Sequence, residues 1–148
     1  MMDFSSITPF RLVRRLATVE PRTPSVYLLI CDSSEMDAML VELGEEVQVQ
    51  LGVNMRRFAA TELHPENLAV VSEHGDGDLV LVVLDRWLPR LVRSFDRNVV
   101  LLTSGGAVVL LATPDVAERL LGASPNLRSR FTDILVLRPY AALEDLRA

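Results

Sequence analysis

The sequence predicts an α/β fold: a doubly wound, mostly parallel five-stranded sheet with helices on both faces, of the flavodoxin-like kind, with a short N-terminal helix. Three observations lead there. Short apolar runs at 26–30, 79–84 and 107–112 read as strands buried on both faces. Between the first two, apolar residues recur at helical spacing through Met36, Met39, Leu40, Leu43, Val47 and Leu51. Strands and helices alternate along the chain, which is the order that builds a parallel sheet with crossover helices.

Residues 1–25 read as an N-terminal extension, followed by a single α/β domain at 26–148. In the extension Phe10, Leu12, Val13 and Leu16 mark one side of a short helix, and Arg11, Arg14 and Arg15 mark the other. Pro21 and Pro24 end it. The pattern favours a helix packed on the domain over a partner-docking or membrane-surface helix. The helix at 34–51 closes at Gly52 in the manner of a C-terminal cap. Residues 53–59 form a second strand, and Asn54, Arg56 and Arg57 weaken it enough to place it at the sheet edge. A short helix at 65–73 and a turn at His74-Gly75-Asp76-Gly77 lead to the strand at 79–84, with Asp85 at its carboxyl end.

Residues 87–97 are helical, whereas 99–102 either continue a helix or form a strand, and Gly105-Gly106 leads into the strand at 107–112. Thr113-Pro114-Asp115 opens the next helix, because Thr or Asp can cap and Pro fits the first turn. Gly122 ends that helix, 124–130 reads as a loop, 134–137 as a last strand and 141–147 as a terminal helix.

Composition narrows the function classes. The hydrophobic fraction of 49% with only 5% aromatics predicts a core of Leu, Val, Ala and Ile. All 15 basic residues are arginine. A P-loop depends on the compact ammonium of lysine, and the wide guanidinium of arginine does not fill the same space. A GC-rich genome replaces surface Lys by Arg at little physical cost, but such drift is not expected to delete a catalytic lysine. The net charge of −5 opposes direct attraction to nucleic acid or to an anionic membrane. The single Cys31 excludes an internal disulfide and fits a reducing compartment. No apolar run approaches the roughly 20 residues of a membrane span, and the N-terminus lacks the apolar region of a signal peptide. The expectation is a soluble, cytoplasmic protein.

In an open α/β sheet, function gathers in the crevice beyond the carboxyl ends of the strands. Cys31, Asp32, Ser33, Asp85, Arg86, Trp87, Thr113 and Arg138 belong there. Ile30-Cys31-Asp32-Ser33-Ser34-Glu35 resembles the acidic end of the first strand in response-regulator receiver domains. Asp85, with Pro89 four residues later, resembles the phospho-accepting Asp and the proline that follows it. Thr113 stands where the switch Ser/Thr would be, and Arg138-Pro139-Tyr140 resembles the Lys-Pro-Phe that ends the last strand. The resemblance implies a phosphoacceptor and metal pocket of Asp32, Asp85, Thr113 and Arg138, with a weak Mg²⁺ site at Asp32 and Asp85 and no other cofactor. Two departures fall on the chemistry: Cys31 replaces one acid and Arg138 replaces the lysine. A thiol is a poor ligand for Mg²⁺, which takes hard oxygens. A divergent, receiver-like domain without normal phosphoryl transfer is therefore the leading expectation. It would bind a protein partner or itself through 114–121 and 141–146, with Trp87, Arg128, Arg130 and Tyr140 as candidate contact residues.

A weaker resemblance competes for the same strands. Asp85 is similar to the metal-binding acid of an AAA+ ATPase, 108–113 resembles the sensor strand, and Pro125-Asn126-Leu127-Arg128-Ser129-Arg130-Phe131 resembles the segment around the arginine finger. Residues 31–38 then occupy the place of the P-loop, with Cys31 and Met36 for glycines, Asp37 for the lysine and Ala38 for the Ser/Thr. Side chains there keep backbone N–H groups away from phosphate, and Asp37 repels it. This resemblance implies a catalytically inactive subunit that assembles with active relatives. A small-molecule sensor or enzyme using Asp32 and Asp85 is the third class. Strand order separates the first two. A receiver joins 26–30 directly to 79–84, whereas an AAA+ domain places 107–112 between them.

Other residues have plainer readings. His64 and His74 lack partners at metal-ligand spacing, Cys31 fits a small buried hydrophobe, and Ser104-Gly105-Gly106 fits a glycine turn. Asp32 and Asp85 also suit strand-end caps, Arg128 and Arg130 also suit local salt bridges, and Trp87 also suits packing across the domain.

Overall fold

Residues 4–18, 24–72 and 79–139 are described by a computed structural model of the chain. The turn at 74–77, Tyr140 and the terminal helix expected at 141–147 lie outside the described residues. Six strands build one sheet: β1 (Ser6–Ile7), β2 (Ser25–Ile30), β3 (Met55–Ala59), β4 (Leu79–Leu84), β5 (Ala107–Ala112) and β6 (Phe131–Leu137). Every strand pair is parallel, and the spatial order is β1-β6-β2-β5-β4-β3. The helices are α1 (Pro9–Leu16), α2 (Met36–Glu46), α3 (Ala69–Ser72), α4 (Pro89–Arg97), α5 (Val99–Leu102), α6 (Pro114–Ala123) and α7 (Pro125–Arg130).

The doubly wound class stands, with one strand more than expected. Val136 N–H donates to the Ser5 carbonyl and Arg138 N–H to the Ile7 carbonyl, each at 2.9 Å. The N-terminal segment thereby pairs the outer edge of β6, and two residues of strand carry no periodicity by which a sequence could show it. The amphipathic helix expected after it is α1, capped by the Thr8 hydroxyl, which accepts from Arg11 N–H. Of its expected apolar side, Leu12, Val13 and Leu16 are buried in the core, whereas Phe10 is exposed.

The strand order overturns the receiver expectation. β2 does not touch β4; β5 lies between them, in register from Val26↔Val108↔Val80 to Ile30↔Ala112↔Leu84. β2 is completely buried and β3, carrying Arg56 and Arg57, is the sheet edge, both as expected. Alternate residues of β2 serve two cores. Val26, Leu28 and Ile30 meet α4 to α7 through Phe95, Leu102, Leu120 and Leu127. Tyr27 and Leu29 meet α1 and α2 through Leu12, Met39 and Leu43.

Of the two alternatives at 99–102 the helix is the one formed, and 125–130 form α7 where a loop was expected. α7 begins with Pro125 in its first turn, and its N-terminus is held from outside: the Asp96 carboxylate on α4 accepts from Leu127 N–H at 2.9 Å and from Asn126 Nδ2 at 3.4 Å. After Glu46 the second helix widens into a π turn over Val47–Leu51, and Gly52 closes it at φ 67°, the left-handed cap expected of that glycine.

Candidate functional site

A parallel sheet places all its strand ends at one edge, so the chain exits of β2, β4, β5 and β6 line a common rim. Cys31 N–H extends the ladder to the Ala112 carbonyl at 2.9 Å, and Thr113 N–H to the Leu84 carbonyl at 3.4 Å. Two open hollows lie along this rim. One, of about 700 Å³, is lined by Asp85, Arg86, Trp87, Thr113, Asp115, Val116, Glu118 and Arg119. The other, of about 370 Å³, lies over β2 and β6 and takes in Asp32, Glu35, Pro114, Glu118 and Arg138.

The four residues expected to share a phosphorylation pocket are thus divided. Asp85 and Thr113 face one hollow, and Asp32 and Arg138 the other. The cause is the intervening strand β5. Adjacent strands are spaced about 4.8 Å, so the ends of β2 and β4 are separated by about 10 Å. Arg138 is further removed, and its Nε donates to Ser6 Oγ at 2.8 Å, which ties it to β1. Among the described residues no cluster of three or more His, Cys, Asp or Glu side chains suits a metal ion.

Asp85 is half exposed and meets Arg86 at 3.8 Å, a surface pair of small energetic weight. Trp87 packs its ring partly on the core, and the Arg119 guanidinium lies over that ring, 6.0 Å from its centroid. Arg119 was missed in the sequence because α6 brings it to Trp87 from 32 residues away, a juxtaposition no local spacing records.

The segment in the place of a P-loop is unsuited to phosphate. A phosphate-binding nest alternates right- and left-handed backbone. Among the described residues only Gly52 and Gly106 have positive φ, so none of residues 31–38 supplies the left-handed step. Cys31 and Met36, at 1% and 6% exposure, point into the core, where a P-loop would need bare glycine backbone. Asp32, Glu35 and Asp37 surround the first turn of α2 with negative charge. Nor is Cys31 a nucleophile: burial first, then the charges of Glu35 and Asp32, push its thiol up from 9.0 to about 11.

Of the candidate contact residues, Trp87 borders the larger hollow, whereas Arg128 and Arg130 are exposed on α7, next to the amino end of β6 and away from the rim. Neither makes an ion pair among the described residues. His64 is exposed as expected of a surface histidine. No helix among the described residues is long and apolar enough to cross a membrane.

No protein-family model matches the chain, and no curated protein matches it. Solved structures do. The crystal structure of the DnaC helicase loader aligns with a TM-score of 0.52 at 9% identity, over 86% of this chain and 87% of that one. A Rhizobiales Trip13 structure aligns with a TM-score of 0.53 at 18% identity, over 88% of this chain and 60% of that one. At such identities the likeness is one of fold. Both neighbours are of the P-loop AAA+ type with a parallel α/β sheet, and the order β6-β2-β5-β4-β3 is the one that separates that type from a receiver.

Proposed function

We propose that this chain is an AAA+-like domain that has lost nucleotide chemistry and works by binding protein partners. The observation that carries the reading is the position of β5 between β2 and β4, and the buried Cys31 and Met36 and exposed Asp37 of the 31–38 segment support the loss of a phosphate cradle. The fold neighbours support the AAA+ side of this reading. The inactive side rests on this chain's own residues. Asp85 remains at the end of β4, but a lone strand-end carboxylate without a lysine or glycine loop has no triphosphate to act on. The exposed Arg128 and Arg130 on α7 are the residues we assign to contact with a neighbouring AAA+-type subunit, a role for which the fixed N-terminus of α7 suits them. The lone buried thiol supports a cytoplasmic setting.

Trp87, the only tryptophan, lines the hollow beside Asp85 and reports on it. Titration of its fluorescence with Mg²⁺-ATP up to about 1 mM, a level that detects even binding worth only about 4 kcal/mol, is expected to give no saturable change. A saturable change abolished by Asp85→Asn would refute the inactive assignment and restore a working nucleotide site.

A further inference from the structure

The strongest feature outside the rim lies on the opposite side of α2. Among the described residues the exposed large apolar side chains are Phe10, Val41, Val49, Val100 and Leu101. Three of the five sit on the pair α1 and α2 with its π turn, at 38% for Phe10, 61% for Val41 and 79% for Val49. Single exposed apolar residues are ordinary, but Val41 and Val49 line one hollow on α2 and its π turn, and Phe10 lies on the neighbouring α1. Beside Val41 and Val49, a shallow hollow of about 440 Å³ is lined by Leu40, Gly44, Glu45 and Gln48.

The two helices are also opposite in charge. α1 exposes Arg11 and Arg14, which make no ion pair among the described residues, while Arg15 is taken by Asp133 at 2.8 Å. α2 carries Asp37, Glu42 and Glu45, likewise without ion pairs among the described residues. They behave as one surface because Gln50 Nε2 donates both to the Phe10 carbonyl, at 3.0 Å, and to the Glu46 carboxylate, at 2.7 Å.

From this pattern we propose that the chain forms a two-fold homodimer through α1 and α2. A surface that is basic on one helix and acidic on the next is its own complement: a two-fold axis between the helices lays α1 of each copy on α2 of the other. Arg11 and Arg14 then meet Asp37, Glu42 and Glu45, and Phe10 covers Val41 and Val49 over the Gly44 hollow. The inference does not rest on the nucleotide reading: Asp37 enters both, but Arg11, Arg14, Glu42, Glu45, Val41 and Val49 belong to neither the 31–38 segment nor α7.

Sedimentation equilibrium tests it. At about 100 µM, where a homodimer of Kd about 10 µM is mostly paired, the wild type is expected to be dimeric. Val49→Glu, at an exposed site that leaves folding intact by circular dichroism, is expected to raise Kd at least about tenfold. Two charge-reversed chains, Arg11→Glu/Arg14→Glu and Asp37→Arg/Glu45→Arg, are each expected to be monomeric alone and to pair when mixed in equal amounts. Only a contact of α1 on α2 produces that restoration. A monomeric wild type would overturn the proposal and leave the face to a different protein. A dimer indifferent to Val49→Glu and to both reversals, or reversed chains that stay apart on mixing, would overturn it equally, by assigning any dimer to another face.

Discussion

The clearest single-residue prediction concerns Asp96. α7 has a residue suited to capping in Ser124, yet the Ser124 hydroxyl is buried without a partner among the described residues and caps nothing. Among the described residues the side chain that satisfies the first turn of α7 is Asp96, 31 positions away on α4, at 2.9 Å from Leu127 N. A hydrogen bond to a charged group contributes about 1.5–3 kcal/mol, and the charge beside a helix N-terminus adds a few tenths more. Exposure of the pair works in the other direction, so Asp96→Ala is expected to cost about 2 kcal/mol. With a urea slope of about 2 kcal/mol/M for a chain of this size, the unfolding midpoint falls by about 1 M. Asp96→Asn, which still accepts from Leu127 N–H but has no charge, is expected to lose about half as much. Asp96→Ala also frees Arg128 and Arg130, so protease cleavage after these residues should accelerate under native conditions. A midpoint within about 0.2 M of wild type for Asp96→Ala would show that α7 is held by Leu127 packing alone and that the capping argument is wrong.

Two further predictions test other parts of the fold. Gly52→Ala places a Cβ on a left-handed residue, and although the site is spacious, thermal or urea unfolding should show a loss of about 1 kcal/mol. Cys31, with its thiol raised from 9.0 to about 11, holds its proton more tightly folded than unfolded. Its contribution to stability is therefore complete below pH 9 and declines from there to about pH 11. Cys31→Ala should flatten that decline in unfolding curves taken at successive pH values. In the wild type, an aromatic disulfide reagent at pH 8 should label Cys31 only after denaturant is added.

The sequence displayed what each strand buries, but not which strand it stands beside. β2, β4 and β5 announce themselves as continuous apolar runs because both faces are covered, and Thr113-Pro114 and Gly52 mark helix ends through backbone constraints that act locally. Neighbour order is different. Val26 to Ile30 would read the same against β4 as against β5, since any apolar strand satisfies the same pleated surface; the choice is made by how the crossover helices pack. The four residues expected to share a pocket do stand at strand ends, and the intervening β5 divides them between two hollows. α7 had a signal, Ser124-Pro125, that resembles a capped first turn, but the carboxylate that completes it comes from α4. Arg119 and Trp87, like Gln50 and Phe10, meet only through the fold.

How far this domain stands from nucleotide chemistry can be worked out from burial. Four substitutions, Cys31→Gly, Met36→Gly, Asp37→Lys and Ala38→Ser, would write a complete P-loop pattern onto residues 31–38. The last two fall on exposed positions and should be nearly free of cost. The first two fall on side chains 1% and 6% exposed, both in the core shared by α1 and α2. Removing a buried Met side chain costs about 2–5 kcal/mol, and removing the Cys and adding glycine flexibility bring the sum to about 5 kcal/mol. That is a third or more of the stability of a typical domain. The four-fold variant is therefore expected to melt about 10–20 °C below wild type. Asp37→Lys/Ala38→Ser should melt unchanged and still leave Trp87 fluorescence insensitive to Mg²⁺-ATP, because the left-handed backbone step is still absent. A four-fold variant that melted within about 5 °C of wild type and bound ATP saturably would show that Cys31 and Met36 merely sit in a dormant cradle. The burial of Cys31 and Met36 predicts the opposite outcome, because both side chains are part of the core packed between α1, α2 and the sheet.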